Sequence, residues 1–205
     1  GLGEVWELAK VNVKPLPACH FTHACADAAA ILRDRHGLRV ADIASVRALV
    51  PAEVVKTVCE PVATKKRPQN SYDAQFSIPY TVATALAKGR FGLAELDDAA
   101  LRDEQVLALA AKVEYEVDPD SPFPTYYSGE VVVTLNDGRE LRHREHVNRG
   151  AAERPISNAD VERKFFENMQ LVTSTARATQ VRDLVLAIGR DSAAVDVQRG
   201  LAARG

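Results

Sequence analysis

Apolar positions Ala24, Ala28, Ile31 and Leu32 recur at i, i+4, i+7 and i+8. That is the spacing of one helix face, and it predicts a helix capped by Thr22 and stopped at Gly37. Beyond it, Ala44, Val46, Ala48 and Val50 alternate with Ser45, Arg47 and Leu49, which predicts a half-buried strand ending at Pro51. A short helix from Ala52 to Cys59 follows. Pro61 to Ser71 is polar, basic and broken by prolines, the signature of a loop, here carrying Lys65, Lys66 and Arg67. Ser77 is placed as an N-cap with Pro79 in the first turn, so a second long helix is predicted to run through Ala85 and Leu86 to Gly89, with Tyr80 in its first turn. One or two short helices fit Leu93 to Ala110.

The period then changes. Val113, Tyr115 and Val117 alternate with Lys112, Glu114 and Glu116, an amphipathic strand with one wet face. After a proline-rich connection from Asp118 to Pro124, Val131, Val133 and Leu135 predict another strand, which Asn136-Asp137-Gly138 turns into Arg139 to Val147. His143 and His146, three apart, fall on opposite faces of that strand and read as exposed strand residues rather than shared ligands. From Arg154 the pattern is helical again. Ser157 caps a helix with Val161, Phe165, Met169 and Val172 on one face, a second carries Val181, Leu184, Val185 and Ile188 to about Gly189, and a third runs from Ser192 to Leu201.

Composition narrows the class. In 205 residues, apolar side chains make up 46% and charged ones 26%, with a net charge of −2, which fits a soluble globular chain and argues against a general nucleic-acid binder. No apolar run approaches the roughly 20 residues of a membrane span. Three cysteines suit a reduced, cytoplasmic protein better than a disulfide framework. The opening Gly1-Leu2-Gly3, without an initiator Met or signal peptide, is what a fragment or processed chain is expected to show.

The candidate chemistry is concentrated in Lys14-Pro15-Leu16-Pro17-Ala18-Cys19-His20-Phe21-Thr22-His23, a lysine, a thiol and two imidazoles within ten residues directly ahead of a helix. Pro15 and Pro17 stiffen the approach, and a helix N-terminus favours a carboxylate or phosphate. The spacing of Cys19, His20, His23 and Cys25 is poor for zinc, so no metal is expected. A Cys19 nucleophile lacks an orienting third group. The reading adopted uses Lys14, His20 or His23, and Tyr80 as cationic or proton-transferring groups around a small anionic substrate. A buried first-turn tyrosine such as Tyr80 is more often a packing residue with a satisfied hydroxyl than a proton donor. Cys19, Ser77, Lys66 and Arg67 are the candidate substrate contacts; the basic run reads either as a solvated face or as an anion-attracting rim beside the next helix start. A non-catalytic module that docks a protein through the 65–67 run is the alternative function.

The Lys14 to His23 stretch with Asp27-Ala-Ala, the segment Asp73-Ala-Gln-Phe-Ser-Ile-Pro-Tyr80, and Arg154-Pro-Ile-Ser157 to Lys164-Phe165 together resemble the C-terminal part of the MmgE/PrpD family. That family includes 2-methylcitrate dehydratase, cis-aconitate decarboxylase and iminodisuccinate epimerase. The resemblance implies an α+β lid, here residues 1–150, with a small antiparallel-rich sheet covered by helices. It implies a C-terminal helical segment, 151–205, that returns to pack on a large N-terminal helical domain absent from this chain. It further implies a homodimer, a small di- or tricarboxylate substrate, and proton transfer next to a carboxylate without metal or organic cofactor, as in the dehydratases of propionate metabolism. Lys14 matches a lid lysine that contacts substrate and Tyr80 an active-site tyrosine. At Cys19 the chain departs from the decarboxylase, which has a histidine there. Without its helical domain, the chain is expected to be inactive.

Overall fold

The computed structural model describes residues 1–188 and 194–202, in two compact units, Gly1–Ile156 and Ser157–Gly205. The first unit is α+β. Its chain order is helix α1 (His20–His36), strand β1 (Ile43–Val50), short helices α2 (Val55–Val58), α3 (Val62–Lys66) and α4 (Ser71–Gln75), helix α5 (Ile78–Lys88), helix α6 (Glu104–Ala111), and strands β2 (Val113–Val117), β3 (Gly129–Leu135) and β4 (Glu140–Glu145). The four strands form one sheet in the order β2-β1-β3-β4. β1 pairs parallel with β2 and antiparallel with β3, and β3 pairs antiparallel with β4. A parallel pair needs a long crossover, and the helical run α2 to α6 provides it.

The core lies between the sheet and α1 and α5, which pack on each other. Ile43, Val46, Ala48 and Val50 from β1, and Val131 and Val133 from β3, are fully buried. Ala44 is exposed instead, because a register shift between Ile43 and Ser45 interrupts the alternation. Small side chains at Ala24, Cys25, Ala28 and Ala29 let α1 press closely on β3. A Cβ on Gly129 would stand 2.6 Å from Cys25 Sγ and 3.0 Å from the Cys25 backbone nitrogen, so only glycine fits that crossing.

Several sequence expectations shift. α1 begins at His20, two residues before Thr22, with Cys19 at the N-cap position, because Cys19 N–H is held by the Gln75 carbonyl (2.8 Å). Thr22 lies inside the first turn and donates its hydroxyl to the Cys19 carbonyl (2.9 Å). The 61–71 stretch is not a plain loop: Pro61 precedes the five-residue α3, and Asn70 caps α4 by accepting from Asp73 N–H. The Leu93 to Ala110 stretch holds two 3-10 turns and α6, which Asp103 caps. Val117 ends the edge strand β2 and is 51% exposed. β4 stops at Glu145, leaving His146 beyond it and exposed. His143 is half-buried, with Nε2 2.7 Å from Glu145 Oε1. Residues 151–156 stay with the first unit through the Ala151–Arg154 bridge and the Arg154 guanidinium, which holds the Val147 carbonyl (2.8 Å) and the Glu145 carboxylate.

The second unit holds helices α7 (Asn158–Met169), α8 (Thr175–Leu186) and α9 (Ala194–Ala202). Ser157 caps α7, as the sequence predicts, and with Asp160 closes a capping box, while Val172 lies past the end of that helix. The predicted start of the third helix at Ser192, and Gly189, lie outside the described residues. Ala178 and Val181 are buried, whereas Leu171, Val172, Leu186 and Leu201 are exposed. No described helix is long and apolar enough to cross a membrane.

Candidate functional site

The approach to α1 is pinned at both ends. Val13 N–H donates to the Gly150 carbonyl (2.9 Å) and Cys19 N–H to Gln75, while Leu16, between the prolines, and Ala18, just after them, are buried. Gly150 has φ +93°, and a Cβ there would meet the Val13 carbonyl oxygen at 2.0 Å; that conformation and close approach demand glycine. Lys14 is thereby held exposed at the positive end of the α1 dipole, with its ammonium donating to the Ala18 carbonyl (3.3 Å).

The same carbonyl takes a second donor, His23 Nε2, at 3.2 Å. A carbonyl only accepts, so the neutral His23 ring carries its proton on Nε2. His23 is fully buried, and its Nδ1 is among the buried polar atoms without a hydrogen-bond partner. Burial above all, then the neighbouring His20, Lys14 and Arg149, pulls its pKa down to about 3, against the opposing Ala18 hydrogen bond. His20 sits one turn earlier, with ring centroids 4.9 Å from His23 and 4.6 Å from Tyr127. Its Nε2 lies 2.9 Å from Asn148 Nδ2, and burial, then Lys14, lowers its pKa too. Burial raises the Cys19 thiol pKa, opposed by the Phe21 backbone N–H and the Lys14 and Lys65 ammonium groups, so the thiol stays protonated near neutrality.

Folded His23 refuses a proton that the unfolded chain binds below the ordinary value of 6.5 and down to about 3. The stability from its neutral ring is therefore complete above pH 6.5 and is lost as pH falls toward 3. At one pKa unit per ~1.4 kcal/mol, thermal melts of the intact chain are expected to lose about 2–3 kcal/mol between pH 6.5 and 4.5 from this group alone. His23→Gln should flatten that slope; an unchanged slope would exclude His23 as its source.

Beside the imidazoles, Phe21, Phe123 and Tyr127 pack edge-on and tilted into one aromatic wall, with centroids 5.4 to 5.9 Å apart. Asp27, on α1, is buried and receives the Arg149 guanidinium in two bonds of 2.8 and 3.1 Å. Asn148, Arg149 and Tyr127 are the residues sequence reasoning missed. Their one local signal is the dense polar Asn148-Arg149-Gly150 run just after a strand.

The remaining sequence candidates lie in other surroundings. Ser77 is buried as the α5 N-cap, accepting from Tyr80 N–H and donating to the Lys65 carbonyl. The Tyr80 hydroxyl faces the carbonyls of Glu95 (2.9 Å) and Ala100 (3.2 Å), and burial pushes its pKa up to about 12. Lys66 pairs with Glu114 and the Ala111 carbonyl, Arg67 with Glu104 at 2.7 Å, and Lys65 donates to the Thr57 carbonyl. Lys14, Cys19, His20 and His23 are thus gathered at the mouth of α1, and none of these bonds brings Ser77, Tyr80, Lys66 or Arg67 to them. Among the described residues no group of three or more His, Cys, Asp or Glu is arranged to hold a metal ion.

The family model of the MmgE/PrpD C-terminal domain matches residues 16–189. The chain belongs to the MmgE/PrpD family. Human cis-aconitate decarboxylase is 30% identical over 178 residues, 82% of this chain and 35% of its own length. Its mouse counterpart is 29% identical over 80% of this chain and 34% of its own, and cis-aconitate decarboxylase of Aspergillus terreus 27% over 93% and 40%. The chain therefore spans between a third and two fifths of the length of these relatives. In this MmgE/PrpD C-terminal domain the matched region begins inside the proline-stiffened approach and takes in the whole sheet, α1, α5 and the Asn148–Arg149 corner.

Proposed function

We propose that this chain is the C-terminal domain of a lyase that acts on a small di- or tricarboxylate by proton transfer next to a carboxylate, with cis-aconitate the first candidate and 2-methylcitrate the second. The observation that carries the reading is the convergence of Lys14, His20 and His23 at the positive end of α1, in a family whose matched relatives are named for cis-aconitate. Lys14 is the cation for a substrate carboxylate. When CO2 leaves such a substrate, the electron pair of the broken C–C bond is delocalised toward a neighbouring carboxylate, and a fixed positive charge there stabilises the developing charge. His20 supplies a neutral imidazole at the same place, and His23 keeps the Ala18 carbonyl and the α1 mouth in shape.

A site with its imidazoles neutral and its thiol protonated needs a further acid. The rest of the relatives' length, more than half of each, is where we place it, in a helical domain that closes over the α1 mouth and against which helices α7 to α9 pack. The assembly is proposed as a homodimer working in the reducing cytoplasm, consistent with free Cys19, Cys25 and Cys59. The test is CO2 release from cis-aconitate and dehydration of 2-methylcitrate by the 205-residue chain alone and joined to that helical domain. Turnover is expected only in the joined protein. Turnover by the chain alone would remove the need for a second domain, and a joined protein inert toward both acids would overturn the lyase reading.

A further inference from the structure

The Asn148 side chain ties the loop after β4 to the first turn of α1, and its orientation is decided by what it touches. Tyr127 backbone N–H, which can only donate, reaches Asn148 Oδ1 at 3.2 Å. The oxygen of the amide therefore faces Tyr127 and the NH2 faces His20, 2.9 Å from Nε2. Turning the amide over would set N–H against N–H at Tyr127, and Asn148 is 1% exposed, so water cannot satisfy the reversed group. Two donors do not approach to 2.9 Å. His20 Nε2 must therefore present a lone pair, and a neutral imidazole with a bare Nε2 carries its proton on Nδ1.

We propose that Asn148 is a positioning residue that fixes His20 as the Nδ1–H tautomer, so that toward a substrate carboxylate His20 acts as a neutral hydrogen-bond donor through Nδ1 and not as a base through Nε2. His23, one turn on, holds the opposite tautomer, because its Nε2 donates to the Ala18 carbonyl. The groups around His20 hold it to this form. Lys14 from the approach segment is a positive neighbour; the His23 ring on the same helix and the Tyr127 ring from the 121–128 segment pack at 4.9 and 4.6 Å; and on the Asn148 side stands Arg149, held by Asp27. A proton added at Nε2 would meet the amide NH2 and the Lys14 charge together. The role toward substrate rests on the site proposed above; the tautomer itself does not.

The experiment is a long-range 1H–15N correlation spectrum of the full 205-residue chain labelled at its five histidines, with His20 assigned by its disappearance in His20→Gln. A protonated Nδ1 and a pyridine-type Nε2 are expected for His20. In Asn148→Asp the carboxylate accepts both from Tyr127 N–H and from the ring, so the proton is expected to move to Nε2 and the titration midpoint of His20 to rise by about 1 unit or more. In Asn148→Leu the preference for Nδ1–H should disappear. A wild-type His20 protonated on Nε2, or an Asn148→Asp spectrum and midpoint identical to wild type, would overturn the inference. Should the variants fail to fold, the wild-type spectrum decides alone. No substrate enters the measurement, so a protein with the expected tautomer and no turnover would fail the functional reading and leave this one standing.

Discussion

Arg149→Ala is expected to destabilise the first unit by about 3 kcal/mol, the lower end of what breaking a buried ion pair costs. Asp27 sits on α1 with its side chain 9% exposed, and Arg149, 29% exposed, grips both carboxylate oxygens. Deleting the guanidinium leaves a charge on the inner side of α1 with no partner strong enough to replace it, and the 29% exposure of Arg149 is why the lower end applies. For a unit of this size that corresponds to a melting point lower by roughly 6–12 °C. Asp27→Asn in the same background should recover part of the loss, because the stranded charge is gone. The loss also reaches the site. Asn148 precedes Arg149, and Gly150 holds Val13 N–H at 2.9 Å, so loosening this corner frees His20 and the Lys14 approach together. Denaturant melts of the two single variants and the double variant measure it, and a change under about 1 kcal/mol for Arg149→Ala would show that the pair is no more than a surface ion pair.

How far the fold could be read from sequence depends on how local each cause is. Helix α5 was legible from end to end because Ser77, Pro79 and Gly89 set its limits through their own backbone chemistry. The β3–β4 hairpin was legible for the same reason, through Asn136-Asp137-Gly138. The start of α1 was not, since the bond that sets it comes from Gln75, far along the chain, and Thr22 looked the better cap. At 61–71 the prolines and cations hid a helical turn: Pro61, extended at ψ 135°, leads into α3 and does not break it. Lys65 there is 9% exposed, a burial that no charge pattern announces.

The site divides in the same way. Lys14, Cys19, His20 and His23 are neighbours in sequence and remain neighbours in space. Asn148 reaches His20 across 128 positions and Arg149 reaches Asp27 on the same helix across 122, through the return of the chain after β4, and no periodicity encodes that meeting. Placing Tyr80 in a first turn was within reach of the sequence; the direction of its hydroxyl, toward Glu95 and Ala100, depends on the packing of two 3-10 turns and was not.

Lys14→Ala is the substitution expected to cost most in activity. Lys14 is exposed, and its hydrogen bond to the Ala18 carbonyl is shared with His23 Nε2, so its removal leaves that carbonyl satisfied and the fold should melt within about 0.5 kcal/mol of wild type, as surface substitutions do. Toward substrate the position is different. In the proposed lyase site, a fixed cation facing the charge that would develop as CO2 leaves acts where water is excluded, and losing one such group costs about 100- to 1,000-fold, or roughly 3–4 kcal/mol of transition-state stabilisation. Lys14→Arg keeps the charge but spreads it over a planar fork, and should restore only part of the rate. The most direct test of the account is kcat/KM for cis-aconitate in the protein joined to its helical domain, wild type against Lys14→Ala. The account predicts a loss of about 100-fold or more with an unchanged melting point; a Lys14→Ala enzyme within about threefold of wild type would contradict it and take the mouth of α1 out of the active site.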